Sequence, residues 1–271
     1  MVSDRTEASV HPQAGPAPDG DPVLPGTATG WDLHARLPAT LPVEEIRAIN
    51  QPSRAIHEHR TYRWNGWDFD LPPGVFHPGD TSRLVHARLL DGTLPVTGLR
   101  YAAMGAGLGV EAVVAGVRDA AVVYALDVDP ESVRTAARHY ERIVGATGPQ
   151  LVPLVTDLWE GFPPGQRLDV VTFNPPAIES PLSDDPAIVR NLCLGRDIAA
   201  RFFSQLVERD LLAPSAVVYL ILSNTAPLRD IVAIALEAGF DAEVLHVEDW
   251  EGDNVQTYLF ALRRETSGGK G

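Results

Sequence analysis

The pattern of apolar and polar residues changes character at Gly98. Beyond it, short continuous apolar runs alternate with segments of helical periodicity, as in βαβ units that build a parallel sheet buried on both faces. The pattern predicts strands over 99–104, 121–127, 151–155, 168–173 and 216–222. Helices are expected over 109–116, 130–144, 197–212 and 228–238, the last closed by Gly239 as a helix C-terminus should be. Two further runs, 242–248 and 256–263, flank the turn-rich segment 249–254, which lets them pair antiparallel. The expected fold is α/β, an open and mostly parallel seven-stranded sheet ending in an antiparallel hairpin.

Upstream, 41–50 reads as a short helix. Residues 60–70 carry Tyr62, Trp64, Trp67 and Phe69 at near-alternating spacing, as in strands. These rings either cover the edge of the core or roof a substrate pocket. Residues 1–30 are rich in Pro, Gly, Ala and Asp and cannot bury enough apolar surface to offset ordering entropy, so a disordered tail is expected there. A second tail is expected over 265–271. Between them lie an extension or lid over 31–73 and the main domain over 74–264.

Composition narrows the partners. With 271 residues and 45% hydrophobic content the chain can bury a sizeable core. Its formal net charge of −14 disfavours a polyanionic partner, because a nucleic-acid binder concentrates Lys and Arg. A small-molecule substrate is therefore expected rather than nucleic acid. No apolar leader follows a basic start, and no stretch approaches the length of a bilayer-spanning helix, so a cytoplasmic protein with no membrane partner is expected. The single cysteine, Cys193, sits among apolar neighbours and reads as inert core. His57 and His59 lack a third ligand at zinc-like spacing, so no metal is expected.

Candidate chemistry gathers at strand ends. Gly105-Ala106-Gly107-Leu108-Gly109 lies between a predicted strand and a predicted helix, where glycines allow a tight turn and bring a ligand close to main-chain N–H groups. Read from Gly107, the same segment also fits a dinucleotide fingerprint, with Asp127 at the expected spacing of about 20 residues. The loop alone therefore leaves NAD and S-adenosylmethionine both open. Asp127 ends the second strand, where a carboxylate can accept hydrogen bonds from ribose hydroxyls, while Asp129, before Pro130, suits a helix cap. Asp157 follows the third strand and could accept an adenine amine, with Leu158 and Trp159 as apolar cover. After the fourth strand comes Asn174-Pro175-Pro176, a stiff turn poor in N–H donors. The Asn174 side-chain oxygen and the Pro175 carbonyl could take two protons of an –NH₂ group and aim its lone pair at an electrophile. Asp197, in Gly195-Arg196-Asp197, reads as a helix cap.

Taken in order, these segments resemble the motifs of class I, Rossmann-like, S-adenosylmethionine-dependent methyltransferases. The resemblance is to the branch with an Asn-Pro-Pro-aromatic signature, which includes release-factor glutamine methyltransferases and guanine-N2 and adenine-N6 methyltransferases. It spans 74–263. It implies S-adenosylmethionine as cofactor, held by Gly105, Ala106, Gly107, Gly109, Asp127, Val128, Asp157, Leu158 and Asn174. The segment 74–81 is similar to the one that closes over the cofactor in such enzymes, which adds Phe76 and Thr81. Asn174 and Pro175 would be catalytic, and Pro176, Ala177, Trp64 and Trp67 would meet the substrate. Two positions depart from the pattern. Ala103 stands where the family has an acidic residue, so one contact toward the methionine end of the cofactor is either absent or supplied by Glu111 or water. Ala177 replaces an aromatic residue that stacks on planar acceptors, a contact worth about 1–3 kcal/mol for a nucleobase. Methyl transfer to a nitrogen of a small metabolite is the expected function. A macromolecular N-methyltransferase acting on protein glutamine or rRNA, a non-catalytic adenosyl-ligand binder, and a nicotinamide oxidoreductase are the alternatives.

Overall fold

Two short helices, α1 (Gly30–Arg36) and α2 (Val43–Ile49), lead into a hairpin of β1 (Arg60–Trp64) and β2 (Trp67–Leu71), turned at Asn65-Gly66 with positive φ at both residues. That is the type of turn whose twist matches the strands it joins. Then follow α3 (Asp80–Asp91), β3 (Arg100–Met104), α4 (Val110–Val117), β4 (Val122–Asp127), α5 (Pro130–Ile143), β5 (Gln150–Val155) and β6 (Leu168–Phe173). The chain continues through α6 (Pro186–Leu192), α7 (Gly195–Glu208), β7 (Leu212–Ser223), α8 (Leu228–Glu237), β8 (Phe240–Asp249) and β9 (Gln256–Arg264). The computed structural model describes residues 23–50, 54–179, 182–193, 195–250 and 254–264.

Among the described residues seven strands form one sheet in the order β5-β4-β3-β6-β7-β9-β8. The first five are parallel, and β9 enters antiparallel between β7 and β8. The strand order reverses between β3 and β6, so the loops after these two strands diverge and leave a crevice at their carboxyl ends. Each face of the sheet carries its own apolar core. One joins Trp159, Phe173, Phe202 and Phe203 to α1, α7 and α8; the other joins Tyr101 and Val123 to α3, α4, α5 and the hairpin. Helix α5 starts as expected, with Asp129 capping Glu131 N and Pro130 in the first turn.

Several expectations need correction. Val23 is only 5% exposed, Gly26 N donates to Val244 O and Thr29 bridges Glu243, so 23–30 pack on the sheet edge and do not belong to a tail. Residues 1–22 and 265–271 of the expected tails, and 251–253 of the hairpin turn, lie outside the described residues. Helix α7 ends at Glu208, before Asp210 with its φ of 51°, and β7 starts at Leu212 where a helix was expected. The structure adds α1, α3 and α6, the last within the segment after Asn174-Pro175-Pro176 that shows no clear periodicity, of which 180 and 181 lie outside the described residues.

Candidate functional site

The crevice at the carboxyl ends of β3, β4, β5, β6 and β7 holds a cavity of about 930 Å³. Its floor is the turn after β3. Gly105 and Gly107 both have positive φ, and a Cβ added to Gly107 would lie 4.0 Å from the Phe76 Cβ, so Phe76 sits close beside the bare main chain of the turn. Gly109 plays another part: a Cβ there would come 2.6 Å from the Ala136 Cα, so this glycine lets α4 approach α5. Ala106 holds the turn, donating to Leu126 O at 2.8 Å and accepting from Gly109 N at 2.7 Å. Neither Ala106 nor Gly109 lines the cavity.

Asp127, Val128, Asp157 and Leu158 form one wall. The Asp127 carboxylate accepts from Gly107 N and Asp129 N, each at 2.9 Å, and so ties the glycine turn to the end of β4. Burial raises its pKa, opposed by these two N–H groups. Each of its oxygens keeps a second lone pair for a ligand hydroxyl. Asp157 is paired with Arg201 at 2.6 Å, a partner unseen in the sequence because α7 brings it from 44 positions away. Leu158 is buried, at a φ of 51°.

Asn174, Pro175, Pro176 and Ala177 form the opposite wall, with Thr81 and Ser82 from the first turn of α3. The Asn174 Nδ2 donates to Ser82 Oγ at 3.2 Å, which leaves Oδ1 with no donor among the described residues. Ser82 is 4% exposed and escaped the sequence reading together with its helix. The apolar spacing of Val85 and Leu89, closed by Gly92 in the left-handed region, is the signal that would have revealed both. Ala177 is buried and bridges Cys193, while Ile178 N donates to Leu192 O at 2.9 Å. The end of α6 is thereby stitched to the turn. Cys193 is half-buried at this junction and is not part of the core, as had been expected. Asp197 lies in the first turn of α7 and lines the cavity.

The remaining side chains singled out in the sequence lie elsewhere. Trp64 and Trp67 do not line the cavity: they pack 6.0 Å apart, with Trp64 edge-on to His86, so they cover the core under α3. Glu111 does not replace the acid absent at position 103. Its carboxylate lies below the cavity floor, where Thr172 donates to it, as does Tyr101 OH at 3.3 Å, with His86 Nε2 3.9 Å away. Burial raises the Glu111 pKa and lowers that of His86 to about 3. His57 and His59 pair separately, with Asp185 and Asp70.

No protein-family model matches the chain, and no curated protein matches it. Solved structures do. A 16S rRNA N2 G1207 methyltransferase (RsmC) from T. thermophilus, in complex with AdoMet and guanosine, is 20% identical, with a TM-score of 0.54 over 77% of this chain and 50% of that one. A ribosomal protein L11 methylase from Lactobacillus delbrueckii subsp. bulgaricus is 17% identical, with a TM-score of 0.51 over 72% and 84%. The E. cuniculi Mtq2-Trm112 complex, responsible for methylation of the eRF1 termination factor, is 21% identical, with a TM-score of 0.50 over 71% and 99%. The chain has the Rossmann-like fold of these methyltransferases.

Proposed function

We propose that this chain is an S-adenosylmethionine-dependent methyltransferase that alkylates a nitrogen of a small metabolite. The observation that carries the reading is the Asn174 corner, which lines a cavity floored by a glycine turn and whose amide nitrogen is spent on Ser82 while its oxygen has no donor among the described residues. The cavity fits the cofactor: its floor is main chain that side chains would fill, an acid stands at the end of β4, and about 930 Å³ leaves room for two ligands. When bound, S-adenosylmethionine supplies an electrophilic methyl group on a sulfonium. Asp127 would accept the ribose hydroxyls, Leu158 and Val128 would cover the adenine, and Asp157 would reach the adenine amine by giving up part of its pairing with Arg201. Phe76 and Thr81 would close the opposite side. Asn174 Oδ1 and the Pro175 carbonyl would take two N–H groups of the acceptor and fix the direction of its lone pair. Alignment of this kind can supply about 7–11 kcal/mol, so little acid–base machinery is required.

Two observations favour a small acceptor. The charge of −14 opposes docking on phosphates, and Ala177 offers no flat ring beside the corner. Pro176 and Ala177 would border the acceptor, and Trp64 and Trp67 have no part in it. Because the fold is shared with enzymes of rRNA and protein, charge and the missing ring bear this choice alone.

The test has two stages. S-adenosylhomocysteine at 100 times its Kd should stabilise the protein by about 2.7 kcal/mol, whereas stabilisation by NADH alone contradicts the reading. Labelled methyl transfer is then screened against amine metabolites, ribosomes and release factors. Label entering only ribosomes or release factors overturns the small acceptor. With the accepted substrate, Asn174→Ala should lower turnover about 100-fold while leaving S-adenosylhomocysteine affinity nearly unchanged.

A further inference from the structure

Beside Phe76 and His77, next to the cavity, lies a second chamber of about 510 Å³. The two share Asn50, Phe76, His77, Asn191 and Leu192, so the chamber opens beside the Asn174 wall. Its own walls are mostly aliphatic, with Ile56, Val75 and Ile188 prominent. Arg60, the first residue of β1, is the exception. Its Nε is buried and meets no acceptor among the described residues. The neighbouring arginines are engaged: Arg190 with Gly74 O and Asp129, Arg83 with Asp80, Arg63 with Asp68. A buried guanidinium donor without a partner is rare in folded proteins, because its lost hydration is normally repaid by an acceptor. No carboxylate lines the chamber among the described residues. His77 cannot offset the charge either, since an imidazole is neutral or cationic; burial, Arg60 and Arg83 all lower its pKa.

We propose that the chamber receives a carboxylate of the methyl acceptor, bound by Arg60, with the acceptor's hydrocarbon body against Ile56, Val75 and Ile188. This rests on the methyltransferase reading. It makes the substrate class an amino acid-like amphiphile, with an anionic end at Arg60 and a nucleophilic nitrogen at Asn174. Arg60 suits the task because its planar fork can hold a carboxylate through two parallel bonds. The methionine end of the cofactor carries the same chemistry. The acceptor is favoured because neither the glycine turn nor Asp127 borders the chamber.

The test is calorimetric titration of the full chain, first saturated with S-adenosylhomocysteine, using hexanoate and 4-phenylbutyrate as probes and their methyl esters as controls. The carboxylates should bind about tenfold or more tightly than the esters. Arg60→Met should remove that preference, Arg60→Lys should restore part of it, and both should leave S-adenosylhomocysteine affinity unchanged. If the wild-type His77 ring is followed by NMR, a bound carboxylate should raise its pKa. Esters that bind as well as acids, acids that do not bind, or an Arg60→Met variant that loses S-adenosylhomocysteine and not the probe would each overturn the proposal. The last result would assign Arg60 to the cofactor. Failure of S-adenosylhomocysteine to bind the wild type defeats the methyltransferase reading itself, so the two failures are distinguishable.

Discussion

Ser82 determines what Asn174 can offer. The buried Ser82 hydroxyl accepts from Nδ2 at 3.2 Å, which holds the Asn174 side chain in place and leaves its oxygen without a donor among the described residues. Ser82→Ala should therefore reduce kcat about tenfold while leaving S-adenosylhomocysteine affinity intact, since such a bond is worth roughly 1 kcal/mol or more; an unchanged kcat contradicts the positioning role. Gly109 is a packing residue by the same geometric standard. A methyl group 2.6 Å from the Ala136 Cα, at a φ of 77°, combines overlap with left-handed strain. Gly109→Ala should cost about 2–4 kcal/mol in urea unfolding. Of the glycine turn, the sequence conveyed the need for positive φ but not which glycine faces a ligand and which faces a helix. That division depends on how closely α4 approaches α5, a tertiary distance with no local signature.

The elements differ in how openly their sequences declare them. Strands β3, β4 and β6 are buried on both faces over most of their length and so appear as largely apolar runs ended by Gly, Asp or Asn-Pro, which is why their limits were readable within one residue. Helix α3 was not read, because its buried face includes Ser82 and His86, polar residues that interrupt the apolar stripe. Those same residues link it to the site. The aromatic spacing of β1 and β2 revealed strands but not the direction they face, and Trp64 proved to pack on His86. His86 is buried with its Nδ1 unpartnered among the described residues, and its pKa falls to about 3. Because the folded form is lower than the unfolded value of 6.5, the unfolded chain takes up the proton first, and stability is lost as pH falls below about 6.5. The loss approaches 1.4 kcal/mol per pH unit. Asp127 and Glu111, with raised pKa values, act in the opposite sense. Urea unfolding of His86→Gln between pH 7 and 5 should therefore show a shallower fall, or a steeper rise, than the wild type. An identical pH dependence would mean that His86 titrates normally in the fold.

At the scale of the molecule, strand order does the work that no single motif can. Gly105–Gly109 and Asp127 fit two cofactors equally in the sequence; the structure sets them in a sheet with β9 antiparallel between β7 and β8, within a fold shared with the matched methyltransferases. That arrangement was partly legible: the hairpin was expected, and its insertion beside β7 was not, because pairing partners of distant strands leave no periodicity. The crevice where the order reverses gathers Gly105, Asp127, Asp157 and Asn174 from four strand ends into one cavity. Among the described residues no helix is long and apolar enough to cross a membrane. The measurement that bears most directly on the central claim is a crystal structure with S-adenosylhomocysteine. The adenosyl group should lie over Gly105 and Gly107, with ribose hydroxyls on Asp127 and the sulfur turned toward Asn174 Oδ1 and the Pro175 carbonyl. A sulfur turned away from that corner, or an adenosyl group bound elsewhere, would contradict it.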